Sequence, residues 1–190
     1  IRGAMQSGWE QRFLLRGDAH HDNLHGDHAL ERRHLDQAMD RQAAILDFGD
    51  LFCAMQGRGD KRADPKQLRP ELRTGDGGYL DALVRYNAAF YRPYAANWIF
   101  QGVGNHESAV ERWSETALLD RFAEHLRLAG SPVCVGAYAG WVRLVCEYGK
   151  RGRETVKLRY THGYGGGGPV TKDVIQVNRQ LSYLGNCDIL

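Results

Sequence analysis

Apolar positions along the chain fall into short runs, and each run ends at once in glycine, Asp, Asn or His. Phe13-Leu14-Leu15 leads into Arg16-Gly17-Asp18-Ala19-His20, and Ala43-Ala44-Ile45-Leu46 into Asp47-Phe48-Gly49-Asp50. Trp98-Ile99-Phe100 is followed by Gly102-Val103-Gly104-Asn105-His106-Glu107, and the alternating stretch Val156-Lys157-Leu158-Arg159-Tyr160 by Thr161-His162-Gly163. Runs this short, bounded by turn residues, predict β-strands. Helical spacing predicts helices over His28 to Arg41, with Leu30, His34, Leu35 and Met39 inward, and over Tyr79 to Tyr91, with Leu80, Leu83, Val84, Ala88 and Tyr91 inward. A third helix is predicted from Glu111 to Leu128, stopped by Gly130 and Pro132. Val133 to Tyr138 and Trp141 to Tyr148 read as two strands joined at Gly140. Strands alternating with helices predict an α/β domain. The stretch from Gly57 to Gly78, rich in glycine, proline and both signs of charge, reads as a long loop or lid within that single domain.

Composition narrows the class. With 190 residues and 43% apolar content the chain can fill a core, so a disordered tail, collagen and a coiled coil are excluded. No run approaches the roughly 20 apolar residues of a membrane-spanning helix. Twenty-five Lys and Arg against 23 Asp and Glu give a net charge of +2, too small to be a nucleic-acid footprint. The local cluster Lys150, Arg151, Arg153, Lys157 and Arg159 reads as a solvated face in preference to a phosphate patch. Cys53, Cys134, Cys146 and Cys187 form no C-x-x-C pair and read as small buried thiols of a reducing compartment, with a disulfide as the alternative. A cytoplasmic location is expected: the sequence begins at Ile1 with no basic and apolar leader. Trp98, Trp113 and Trp141 read as core in preference to stacking platforms for bases.

Chemistry enters through the strand ends. In an α/β sheet ligands bind beyond the carboxyl ends of the strands, where loops vary on a rigid support. Asp18 and His20 are two apart, so in an extended segment both point one way. Asp50 follows a glycine, Asn105 and His106 sit in a glycine-flanked turn, and His162 ends the fourth strand. Oxygen and imidazole donors without thiolate suit a divalent cation, Mn²⁺ first, with Zn²⁺, Fe, Co²⁺ or Ni²⁺ as alternatives. Each histidine alone would pass for an ordinary hydrogen-bonded one; their joint placement beside carboxylates argues for metal.

Gly17-Asp18-Ala19-His20, Gly49-Asp50, Gly104-Asn105-His106-Glu107 and His162-Gly163, in this order, resemble the motifs of the calcineurin-like metallophosphoesterases. The resemblance implies a four-layer α/β/β/α sandwich and a pair of divalent metal ions. It implies that Asp18 and His20 hold one ion, Asn105 and His162 the other, that Asp50 bridges them, and that His106 is the catalytic histidine at the leaving oxygen. It also implies in-line attack on phosphorus by a hydroxide shared between the ions. The family's final G-H-x-H motif does not occur; Cys187-Asp188-Ile189-Leu190 looks like the strand leading into it, so the expectation is a chain truncated at its C-terminus that binds metal weakly. Where the G-D motif usually carries a second Asp three residues on, this chain has Cys53.

Other residues receive lesser roles. His21, Asp22 and Asn23 read as groups that orient ligands or touch substrate, or else as surface loop; His25, His28 and His34 as surface. Asp47 reads as structural, and Glu107 as a carboxylate at a helix N-terminus. Tyr164 and Gly165 to Gly168 either approach a phosphate or form a flexible turn. Arg58, Lys61, Arg62, Lys66, Arg69 and Arg73 are candidate cationic contacts to a phosphorylated substrate, nearly cancelled by neighbouring acids. The expected activity is hydrolysis of a phosphodiester, in a nucleotide or nucleic acid, with no membrane and no obligate protein partner. A phosphomonoesterase or protein phosphatase, and a non-catalytic binding module that keeps the fold, are the alternatives.

Overall fold

The run Ala44 to Asp47, apolar but for its last residue, is buried at all four positions, which is what a central strand covered on both faces requires. A computed structural model describes residues 9–54, 61, 63–73, 78–147, 152–163, 182 and 184–190. It is mixed α/β. In chain order the elements are β1 (Phe13–Arg16), α1 (His28–Asp40), β2 (Ala44–Asp47), α2 (Tyr79–Tyr91), β3 (Trp98–Gln101), α3 (Asn105–Ser114), α4 (Leu118–Leu128), β4 (Cys134–Val135), β5 (Ala139–Glu147) and β6 (Arg153–Thr161). Short 3-10 turns at Pro65–Gln67, Pro70–Leu72 and Arg92–Asn97 punctuate the connections.

The chain divides into two compact units. The first, Gln11–Tyr138, holds a parallel sheet in the order β1-β2-β3-β4. Register runs Phe13 with Ala44 to Arg16 with Asp47, and Leu46 with Phe100, so the carboxyl ends of β1, β2 and β3 lie side by side. The core is Leu35, Ile45, Leu83, Tyr91, Trp98 and Phe122, all fully buried. Each such side chain contributes roughly 1.5 to 3 kcal/mol. Tyr91, Trp98 and Phe122 meet edge to face at centroid separations of 5.0 to 6.0 Å. The second unit includes the described part of Ala139–Leu190 and carries β5 and β6 as an antiparallel ribbon, with Ile189 bridging to Leu158. No helix among the described residues is long and apolar enough to cross a membrane.

Several expectations are corrected. The helix predicted from Glu111 to Leu128 is two helices, because Glu115 adopts a left-handed φ of 49° and ends α3. The Val133 to Tyr138 strand shrinks to Cys134–Val135, and it belongs to the parallel sheet and does not pair with β5. In α1 the buried positions are Leu35 and Ala38, whereas Leu30 and His34 are exposed. Trp113 and Trp141 are about half exposed, and Cys134 is exposed; all four cysteines are free thiols. Within the stretch read as a loop or lid, Leu68 and Leu72 are buried in the core. Arg69 donates to the carbonyls of Gly26 (2.7 Å) and His21 (3.2 Å), and Arg73 to Leu68, so neither guanidinium is held ready for a substrate. Arg58 and Arg62 lie outside the described residues.

Candidate metal centre

The loops after β1 and β2 continue their strands' pairing. Asp18 N donates to the Gly49 carbonyl (2.9 Å), His20 N to Asp50 (3.0 Å) and His21 N to Leu51 (3.0 Å). Here the backbone is not the extended one expected for Asp18 and His20: their φ values are 55° and 42°, and Asp50 has 52°. Left-handed backbone at non-glycine residues costs about 1 to 2 kcal/mol each and persists only where surroundings impose it. Glycine makes the meeting of loops possible. A Cβ on Gly49 would lie 2.5 Å from Gly104 N, and one on Gly104 would lie 2.7 Å from Asp50 Cγ. The glycines before Asp50 and before Asn105 are thus fixed by close packing between the two loops.

Asp50 is the hub. Its carboxylate is 2% exposed, and Oδ1 accepts from His106 N at 2.9 Å. Oδ2 lies 3.8 Å from His20 Nε2 and 3.8 Å from His106 Nε2, too far for a hydrogen bond. Two donors about 2.1 Å from one shared cation sit roughly 3 to 4 Å apart, so the spacing suits coordination. Asp18 and Asp50 offer oxygens within 4.8 Å of each other, and the imidazoles of His20 and His106 meet edge to face at 4.6 Å. His20 Nδ1 is buried with no hydrogen-bond partner, and burial, then neighbouring His106, lower the basicity of this ring. A neutral imidazole is the form that binds metal. The donor chemistry, with Nε2 of His20 facing Asp50, fits a divalent cation. His106 Nδ1 donates to the Cys53 carbonyl at 2.6 Å, which fixes the tautomer and aims Nε2 at Asp50. Around these groups an open cleft of about 510 Å³ is lined by Asp18, His20, Asn23, His25, Cys53 and His106.

Behind the donors the loops are tied down. Asp22, 1% exposed, accepts from Cys53 N (2.6 Å) and Ala54 N (2.8 Å), holding the chain past Asp50. Glu107 accepts from Gly104 N (2.8 Å), Asp50 N (3.0 Å) and Phe52 N (2.9 Å), capping α3 and clamping the two loops with one carboxylate. Burial pushes the Glu107 carboxyl up to about 7, against the pull of these N–H donors. Below them Arg16 Nε lies 2.8 Å from Asp47 Oδ2, and its NH2 bonds Glu31 at 2.5 Å. Tyr91 also donates to Glu31, and His21 Nδ1 donates to Glu31 Oε2 at 2.6 Å. Burial alone would raise the Glu31 carboxyl, but the hydrogen bond from His21 and the charge of Arg16 outweigh it and hold it at about 2. His28 stacks on His21 at 3.8 Å with planes 7° apart, and its Nε2 donates to the His21 carbonyl at 2.7 Å. Lone pairs of stacked rings run parallel, so His21, His28 and Glu31 do not converge on an ion despite their proximity.

Of the residues named from the sequence, Asp18, His20, Asp50, Asn105 and His106 stand on adjacent loops of the first unit, with Asn105 opening α3. His162 follows β6 in the second unit. His21 and Asp22 are sealed from solvent, at 0% and 1%, so the substrate-touching role is corrected to positioning. His28, expected at the surface, is half-buried against His21. Asp47 is wholly buried and accepts from Gly49 N at 3.0 Å. Tyr164 and Gly165 to Gly168 lie outside the described residues. The pairing of Arg16 with Glu31, and the hydroxyl bond of Tyr91 to it, went unnoticed in the sequence; a lone arginine closing an apolar strand was the available signal. Compared with protein-family models, curated proteins and solved structures, the chain matches none.

Proposed function

We propose that the chain is a divalent-metal-dependent phosphoesterase of the calcineurin-like type, cytoplasmic, built on that family's four-layer α/β/β/α sandwich, and acting on a phosphodiester. The observation that carries the reading is Asp50: a buried carboxylate whose Oδ2 stands 3.8 Å from two imidazole nitrogens at the carboxyl ends of parallel strands. Asp18 and His20 would hold one cation, Asn105 would contribute to a second, and Asp50 would contact both. When bound, such a pair neutralises phosphate charge and lowers the pKa of water towards neutrality.

The chain's own groups do the rest. Asp22 and Glu107 keep the loops rigid, so that the donors need no rearrangement when substrate arrives. His106, oriented by its Nδ1–H bond to Cys53, presents Nε2 to the reacting group and can hold the proton that the leaving oxygen takes. The cleft is open to solvent on the Asp18 side, where an extended diester has room to lie.

Hydrolysis of bis-p-nitrophenyl phosphate with Mn²⁺, compared with the monoester p-nitrophenyl phosphate, tests the proposal. Mn²⁺-dependent turnover favouring the diester, and lowered about 100-fold or more in His106→Ala, is expected. Faster turnover of the monoester would replace the diesterase reading with a phosphomonoesterase. Absence of turnover with metal demonstrably bound would count against catalysis.

A further inference from the structure

The ribbon of β5 and β6 carries a surface that the metal site does not use. Nine register pairs run from Ala139 opposite Thr161 to Glu147 opposite Arg153. Residues directly opposite share a face, and alternate residues change face. One face therefore carries Val142, Leu144, Val156, Leu158 and Tyr160, of which Leu158 and Tyr160 are buried. The other carries Trp141 beside Arg159, Arg143 beside Lys157, and Glu147 beside Arg153. Trp141 is 48% exposed there, in place of the core role expected for it.

The arrangement around the indole is built. The Arg159 guanidinium lies 5.7 Å from the Trp141 ring centroid, and its NH1 donates to the Gly140 carbonyl at 2.7 Å, which pins the cation beside the ring. Lys157 Nζ is steadied by Asn186 Oδ1 at 2.7 Å. Among the described residues Arg143, Arg153, Lys157 and Arg159 of this face stand against two carboxylates, Glu147 in the ribbon and Asp188, which accepts from Lys157 N at 2.7 Å. The near-neutral total charge of the chain thus conceals a local cationic strip with an aromatic plate at one end.

We propose that this face binds single-stranded nucleic acid, with a base stacked on Trp141 and the backbone phosphates along Arg143, Lys157 and Arg159. An anion alone would need the cations but not the exposed indole, and an apolar peptide would need the indole but not the cations. A single strand offers both a charged backbone and unpaired π-faces, and aromatic stacking with a cationic track is how such strands are held without sequence preference. In a duplex the base faces are stacked on each other and unavailable to the indole. The proposal stands apart from the phosphoesterase reading, because binding needs no metal.

The test is fluorescence anisotropy of a labelled 15-nucleotide oligo-dT with the full chain in EDTA, so that metal chemistry plays no part. Saturable binding is expected, tighter for the single strand than for the matching duplex. Trp141→Ala should weaken it about tenfold, Trp141→Phe should restore it, and each of Arg143→Gln and Lys157→Gln should lower the slope of log K against log salt by about 0.7. Circular dichroism confirms that the variants fold, and turnover of bis-p-nitrophenyl phosphate by Trp141→Ala should equal wild type. Equal affinity for inorganic polyphosphate, indifference to Trp141→Ala, tighter binding of duplex, or no binding at low salt would each overturn the proposal. Failure of the small-diester assay with oligo-dT binding intact would strike the phosphoesterase reading alone.

Discussion

Two charged regions of the first unit lie within a few residues of each other and are satisfied in opposite ways. Beneath the loops, Arg16, Asp47, Glu31, Tyr91 and His21 close on one another at hydrogen-bond distances, with Asp47, Tyr91 and His21 buried and Arg16 and Glu31 at the edge. Above, Asp50 stands 3.8 Å from each of two imidazoles on backbone held at positive φ. The lower cluster contains its own countercharges, Arg16 facing both Asp47 and Glu31. In the upper one carboxylates and imidazoles gather at spacings beyond a hydrogen bond, and burial lowers the basicity of His20, which suits the group to a cation from solution. One cluster builds the scaffold, the other is the proposed cation site, and Asp47 with Gly49 joins them through a bond of 3.0 Å.

The sharpest way to break the contrast is to remove the hub. Asp50→Asn should lower Mn²⁺-dependent diester hydrolysis at least about a thousandfold, the several kcal/mol that paired cations supply, while urea denaturation shifts little. Arg16→Met should do the reverse. It leaves Asp47 buried and unpaired, so stability falls by about 3 to 5 kcal/mol, read as a lower urea midpoint. Adding Asp47→Leu to Arg16→Met should recover most of that loss, since an apolar pair replaces a broken ionic one.

Acid distinguishes the clusters next. Glu31 sits at about 2 when folded against an ordinary 4.5, so its contribution is full above pH 4.5 and is lost as pH falls towards 2. The loss is on the order of 3 kcal/mol. Denaturation midpoints in Glu31→Gln should be lower than wild type at pH 7 and converge on it near pH 2. The smallest expected effect comes from Gly104→Ala, whose methyl would collide with Asp50 and cost about 1 to 3 kcal/mol. Its Mn²⁺ affinity should fall in step, because the collision displaces the hub itself.

Much of this was legible in the chain. The strands of the parallel sheet announced themselves because a buried central strand is nearly continuous in apolar residues, and the candidate donors stood at the strand ends where such sheets place ligands. Glycines 49 and 104 were visible as motif letters, but their reason, backbone meeting backbone, is a tertiary fact. What could not be read arose from distant partners. Arg16 meets residues 15 and 75 positions away, and no local pattern encodes that. The break between α3 and α4 rests on one left-handed residue, Glu115, with no glycine to mark it. Trp141 read as core because an indole in an alternating strand usually is; its neighbours across the register, not along the chain, put it on a cationic face.

The most direct test of the central claim, that the upper cluster is a cation site, is Mn²⁺ binding followed by electron paramagnetic resonance in the wild-type chain and in Asp50→Asn, both shown folded by circular dichroism. The geometry predicts that the free Mn²⁺ signal falls on titration into wild type and persists in Asp50→Asn. Equal uptake by the two proteins, or none by either, would contradict it.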